Sequence, residues 1–352
     1  MDRFDRLLVE ADIYWMRIGA TRLIFLLFLV CCLSVELGAQ GAAPAVRIGI
    51  LAKRGFQQCY EQWNQTAEYL DVKIPESTFI IVPLDFDKVE VVVKNRAIDF
   101  IFANPSDYVF LETRYRINRI VTLKNLIMGQ GYIEFGGVVF CRADRVDMHG
   151  LNDLKNKVFA AVDETSFGGW LMTYRELKKH GIDPNTDFSR FAFAGTHDAV
   201  VKQVLSGDAD AGTMRSDTLE QMEAEGKIRK AQLRILNDMG AEYPAFPFAL
   251  STRLYPEWPL AKLQHTDLEL AEKVASALLE MKPTDPAALA ANCAGWTIPS
   301  NYESINELLK ELRVAPYDEY GIVTAAQILE QYWPHILATA LTILLAITMT
   351  GM

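Results

Sequence analysis

A two-lobed α/β fold followed by a C-terminal membrane helix is the architecture this sequence predicts, and three observations predict it. Short apolar runs alternate with helix-like segments from residue 46 to about 236, as in β-α-β units wound around a parallel sheet. The alternation restarts near residue 143, so there are two such units. Finally, residues 336–352 carry no charged side chain, a run about long enough to cross a bilayer once tilt or local thinning is allowed.

The amino end reads as an export leader. "LIFLLFLVCCLSV" (23–35) is a short uncharged core that follows Arg17 and Arg22 and precedes the small-residue stretch "GAQGAAPA", so residues 1–41 are expected to be a signal peptide. The first fifteen residues mix acids and bases, whereas a start at Met16 leaves only positive charges before the core, which makes Met16 the expected start. An uncleaved anchor is the competing reading.

The mature region is expected over 42–331. "VRIGILA" (46–52), "TFIIVPL" (78–84) and "AIDFIFA" (97–103) read as buried strands, with helices around 57–70 and 87–95 between them. "VEVVV" in the second helix prefers strand by propensity, and only its place between two strands argues for helix. The first lobe is assigned to 46–142 and, after the chain returns, 243–320. Residues 143–242 form the second lobe, with strands in "KVFAAVD", "RFAFAG", "ADAGTM" and "LRILND" and helices in "HDAVVKQVLSG" and "TLEQMEAEG". A membrane helix over 332–352 closes the chain, with Tyr332 and Trp333 at the level of an interfacial aromatic belt.

"VDETSFGGWLMTYRELKKHG" (162–181) raises the sharpest local question. Phe167, Trp170, Leu171, Tyr174 and Leu177 recur at helical spacing, and Lys178, Lys179 and Gly181 supply a basic end and a stop. Thr165 or Ser166 is the expected N-cap. Gly168 and Gly169 each weaken a helix by about 1 kcal/mol relative to Ala. Either they leave the first-turn N–H groups bare, which makes an anion site, or they let the helix pack closely on a neighbouring strand.

Composition narrows the function. A 50% hydrophobic chain with net charge −10 offers no broad surface for nucleic acid or anionic lipid, so an anionic ligand needs a local positive focus. The leader would remove Cys31 and Cys32, leaving Cys59, Cys141 and Cys293, which allow at most one disulfide. No CxxC or Cys/His cluster suggests a metal, and no cofactor is expected. Without a GxSxG elbow, a Walker loop or an HExxH helix, no enzyme is expected either.

The runs "DLKNKVFAAVDETSFGGWLMTYRELKKHGIDP" and "GTHDAVVKQVLSGDADAGTMRSDTLEQMEAEGKI" resemble the phosphonate-binding family of periplasmic solute receptors. "STRLYPEWPLA" (251–261) and "AGWTIPSNYESINELLKELRVAPY" (294–317) are similar to the sensor regions of tetrathionate-sensor-type histidine kinases. The resemblance spans about 46–320. It implies a bilobed type II receptor that holds a small solute, often an oxyanion, between its lobes and catalyses nothing. By the same resemblance, the hydroxyls of Thr165 and Ser166, with Phe167 and Gly168 in the turn behind them, grip an anionic head group. His197 either contacts the ligand or caps its own helix. Lys53, Arg54 and Gly55 stand at the ligand-facing end of the first strand, Arg54 as an oxyanion fork or as a solvated charge. Asn104, Ser106 and Tyr108 supply neutral donors, and Arg215 either faces the cleft or pairs with Asp210 or Asp217. Cys59 is the thiol placed nearest the cleft, and Phe246 and Phe248 are its expected apolar wall.

Two functional classes are thereby expected. One is the sensor region of a two-component receptor on the periplasmic face of the bacterial inner membrane, tethered by its C-terminal helix. Its histidine kinase output is missing or encoded separately, and a response regulator lies downstream. The other is the solute receptor of a phosphonate-type ABC transporter.

Overall fold

β1 (Ala45–Leu51) leads into α1 (Phe56–Lys73) through Gly55, whose φ of +100° lies in the region that favours glycine. α1 turns Cys59, Trp63, Thr66, Ala67 and Leu70 inward at three- and four-residue steps. β2 (Thr78–Leu84) and β3 (Phe100–Phe102) lie parallel to β1 on either side. A crossover between parallel strands needs a helix on the sheet face, and α2 (Phe86–Lys94) supplies it, burying Val89 and Val93 while Val91 stays exposed. Topology therefore overrides the strand propensity of the valine run.

These coordinates are a computed structural model that describes residues 44–127, 129–322 and 325–350; the expected leader, 1–41, and the start at Met16 lie outside them. After α3 (Pro105–Tyr115), β4 (Asn118–Ile127) enters the first sheet and pairs with β5 (Gln130–Tyr132). β13 (Pro259–Lys262) and β14 (Cys293–Thr297) return to the same sheet, whose order is β14-β4-β13-β3-β1-β2. The helices α7 (Leu268–Glu280), α8 (Pro286–Ala291) and α9 (Glu303–Leu312) accompany that return.

The second lobe is a five-stranded sheet in the order β11-β7-β10-β8-β9, built from β7 (Gly137–Arg142), β8 (Val158–Ala161), β9 (Arg190–Phe193), β10 (Ala211–Arg215) and β11 (Leu233–Leu236). α4 (Met172–Lys179), α5 (His197–Ser206) and α6 (Thr218–Ala224) connect its strands. β7 belongs to this second sheet, so the chain changes lobes before Gly137 and not at 142 as expected. The two crossings are bonded to each other: β6 (Glu134–Phe135) pairs antiparallel with β12 (Tyr255–Pro256), Tyr255 opposite Phe135. This two-stranded ribbon is the hinge.

α10 (Ala325–Thr350) contains the one helix segment among the described residues long and apolar enough to span a membrane, Leu329–Thr350. Its hydroxyls are satisfied internally, Thr339 donating to the His335 carbonyl (2.8 Å) and Thr342 to that of Ala338 (2.7 Å), as an apolar solvent demands. Cys59, Cys141 and Cys293 are all buried free thiols.

Candidate functional site

The carboxyl ends of β1 and β10 meet between the lobes and bring four predicted residues close together. Arg54 is not a free fork. Its Nε and Nη2 donate to Asp198 at 2.6 and 3.0 Å, and Nη1 and Nη2 to Glu225 at 2.7 and 2.8 Å, so it clamps the first lobe to α5 and to the residue that ends α6. Burial opposes its charge, but the bonds to Glu225 and Asp198 outweigh that and hold it protonated; the same bond to Arg54 holds Glu225 down at about 2. Gly55 makes the turn into α1 and touches nothing with its missing side chain.

Arg215 is fully buried and pairs with Asp217 through Nε at 3.0 Å and Nη2 at 3.1 Å, and with both carboxylate oxygens of Glu257. Its guanidinium lies 4.1 Å from the centre of the Phe135 ring. Of the two expected partners, Asp217 is the one; Asp210 pairs with Arg145 instead. Asn125 of β4 donates to Asp217 at 2.6 Å.

His197 opens α5, whose cap is Thr196, accepting from the Ala199 N–H. Its Nδ1 accepts from the Arg215 N–H at 3.3 Å, which assigns the proton to Nε2. Burial first, then the cations Lys53, Arg215 and Arg54, push its pKa well below the usual value. It is a neutral donor, not a charged one.

Lys53 is the residue that the sequence reading placed but did not single out. Among the described residues no carboxylate or carbonyl bonds its ammonium, which stands 5.1 Å from the Trp258 ring. Burial, followed by Arg215, lowers its pKa to about 8, against the pull of Asp217 and Glu257. With Arg54, Arg215, Trp63, Phe102 and Trp258 it lines a cavity of about 30 Å³. Cys59 lines it too, its thiol pushed up to about 12 by burial, hence unreactive.

The "TSFGG" turn does not open onto this cavity. Phe167–Leu171 is a π-helical turn with Ser166 as N-cap, buried, its hydroxyl bonding none of the turn's N–H groups. Phe167 packs on Tyr255 (ring centres 5.0 Å) and on Phe135 (6.2 Å). A methyl group on Gly168 would lie 2.9 Å from Phe135, and one on Gly169 2.5 Å from Val162. Phe167 and Gly168 thus pack against the hinge, and the close-packing account of the glycines is the one the geometry supports. Asn104 caps α3, accepting from the N–H groups of Ser106 and Asp107, while Ser106 donates across the cleft to the Thr165 carbonyl at 2.8 Å. Tyr108 turns away to Glu112 and Arg119. Phe246 and Phe248 form a separate apolar cluster with Ile127 and Leu250, not a cleft wall.

A second, lateral cavity of about 900 Å³ also lies between the lobes, and Ser106 and Thr165 reach it. Its wall is aromatic, with Trp170 and Tyr174 stacked at 5.1 Å, and carries the acids Asp87, Glu90, Asp107 and Glu164. Burial, then Asp163, raises the pKa of Asp107 well above the usual carboxylate range. The same wall carries Arg114 and Arg313, so its charges are mixed. The cationic strand-end cavity, despite its small volume, is the candidate site, in keeping with ligand positions at strand carboxyl ends in open α/β sheets.

Comparisons with known proteins bear on the family and the fold. A family model described as the periplasmic substrate-binding protein of phosphonate ABC transporters matches residues 48–305. The tetrathionate sensor histidine kinase of Salmonella typhimurium is 31% identical over 287 residues, covering 80% of this chain and 46% of that protein; the chain therefore spans about half the length of this relative. In fold it is similar to a phosphonate-transporter binding protein of Pseudomonas aeruginosa (TM-score 0.65, 15% identity, 85% of this chain and 96% of that one). It is also similar to a Prochlorococcus marinus protein solved with methylphosphonate (TM-score 0.64, 15% identity, 77% and 99%). The fold is the bilobed type II arrangement.

Proposed function

The chain belongs to the family of phosphonate-type periplasmic substrate-binding proteins, and from that premise we propose that it is the solute-sensing region of a membrane-tethered two-component receptor. It holds a small oxyanion between its lobes and converts nothing. α10 anchors it in the inner membrane with both lobes in the periplasm, and its output passes to a histidine kinase and a response regulator. Similarity to a sensor kinase over most of the chain, followed by an apolar span at Leu329–Thr350, supports the tether and the signalling role.

The observation that carries the ligand class is Lys53. Its half-buried ammonium makes no hydrogen bond to a carboxylate, although Asp217 and Glu257 act on it from nearby, and an anion docking between the lobes gives it a direct partner. The cross-lobe contacts at Arg54 and Asn125 describe a shut cleft, so the ligand enters when the hinge opens. The second reading, a transporter receptor, is favoured by the family's own transporter members. Calorimetric titration of the full chain in detergent with small oxyanions tests the ligand class: binding is expected in the wild type and lost in Lys53→Met. Signalling is tested by fusing a reporter kinase after α10; ligand-independent output would favour the transporter reading.

A further inference from the structure

The first turn of α3 meets the second lobe at the turn that follows β8, and each side brings an acid to that contact. Asp107 is only 7% exposed, and Ser106 beside it donates across the cleft to the Thr165 carbonyl at 2.8 Å. On the facing turn, Asp163 accepts from the Thr165 N–H at 2.9 Å and from its hydroxyl at 3.0 Å. The same hydroxyl lies within hydrogen-bonding reach of the Asp107 carboxyl. A threonine hydroxyl carries one proton. With that proton given to Asp163, its oxygen can only accept from Asp107, so the carboxyl is the donor. The Asn104 amide donates to Oδ2 of Asp107 at 2.7 Å, which leaves Oδ1 to hold the proton.

We propose that shutting the cleft takes up one proton, held by Asp107, so that acid favours the shut form whatever the ligand is. With the lobes apart, Asp107 stands in water in the first turn of a helix, near the positive end of its dipole, where a carboxylate is favoured. Shutting strips that water and brings up Asp163, and both oppose the charge. Of the other charged groups on the same cavity, Glu164 of the facing turn and Asp87 and Glu90 of α2 add to the opposition. Arg114 of α3 and Arg313 beyond α9 act against it, but neither forms an ion pair with Asp107 among the described residues. His197 works the other way. It is buried and neutral in the shut cleft, so opening lets it take up a proton as the pH falls. The two groups are therefore separated by substitution and not by the wild-type curve alone.

A distance measurement between the lobes tests this without any ligand. Val72→Cys on the first lobe and Val146→Cys on the second, at positions 80% and 81% exposed, accept a pair of distance labels, whereas Cys59, Cys141 and Cys293 are buried. The exported chain in detergent is read between about pH 8 and pH 5, a range above the ordinary carboxylate pKa. Asp107→Asn keeps the shape of the side chain and is neutral at every pH. It is expected to populate the shut form more than wild type does at pH 8. Wild type should close that gap as acid is added, by up to about tenfold in the shut-to-open ratio per pH unit, the limit for one proton. Asp163→Asn is expected to shift the population the same way by less, and it decides the matter if Asp107→Asn fails to fold. Label distances in the variant that match wild type at both pH values overturn the proposal. A gap that acid leaves unchanged overturns it as well, because it reports a lost contact and not a proton.

Discussion

The central and lateral cavities lie along one interlobe cleft yet differ in almost every property. The lateral space is about thirty times larger, aromatic and rimmed by both acids and arginines; the central one barely admits a water and is walled by Lys53, Arg215 and three aromatic rings. Room is therefore a poor guide to binding in a hinged protein, because closure fills the site that matters with its own side chains. What marks the centre is a concentration of charge, Lys53 and Arg215 set against Asp217 and Glu257.

The largest expected effect breaks the centre outright. Arg215→Ala leaves Asp217 and Glu257 buried without their cation; losing one partner of a buried pair costs about 3–5 kcal/mol, and the melting temperature should fall on the order of 10 °C. Scanning calorimetry checks it. No comparable loss is expected from removing exposed charges at the lateral rim, such as Asp87.

Lys53→Met should act in opposite directions on affinity and stability. Losing a bond to a charged ligand costs about 1.5–3 kcal/mol, or roughly ten- to a hundredfold in oxyanion affinity. Stability without ligand should rise at pH 7. The folded pKa of about 8 lies below the unfolded value, so the unfolded chain holds more protons between the two values. Wild-type stability climbs with pH through that window, and below about 8 the whole penalty of the half-buried charge applies. Arg215, Asp217, Glu257 and Arg54 are the charged groups that act on Lys53. The methionine variant lacks the penalty, and its melting curve should lose that slope. In the wild type, oxyanion affinity should weaken as pH rises above about 8, read by titration at pH 7 and 9.

A smaller effect separates packing from binding in the "TSFGG" turn. Gly169→Ala places a methyl 2.5 Å from Val162 and 2.6 Å from the Ser166 hydroxyl, an overpacking that costs about 1–3 kcal/mol. Denaturation midpoints should fall while affinity per folded molecule holds. Smallest of all, Phe193→Ala in the lateral wall should leave oxyanion affinity within about twofold; a larger loss would move the site out of the centre.

How much of this was legible in the sequence follows from what is local. β1, β2, α1 and the second lobe's alternation stand out because each buries a continuous face or stripe. β4 and β14 do not, since Lys124 and Asn125 interrupt the one and Gly295 the other. Lys53 and Arg54 both follow the first strand, and the planar guanidinium makes Arg54 the natural choice over Lys53. The reversal is decided by Asp198 and Glu225, which come 144 and 171 residues later and carry no local signal. Trp258 stood within "YPEWPL", a stretch that marked kinship but said nothing about which side chain would face the cation. Thr165 and Ser166 suggest a cradle because a hydroxyl pair before two glycines suits either role; Val162 and Phe135 behind the glycines carry no local signal.

The paired crossings at Tyr255 and Phe135 have a mechanical meaning. Two separate strands between two bodies allow bending, shear and twist, whereas a hydrogen-bonded ribbon stiffens the latter two and leaves something close to a door's single axis. Glu257 follows directly on that ribbon and grips Arg215, whose guanidinium rests on Phe135 itself. The axle and the lock of the door share a residue, so a charge arriving beside Lys53 is weighed at the pivot.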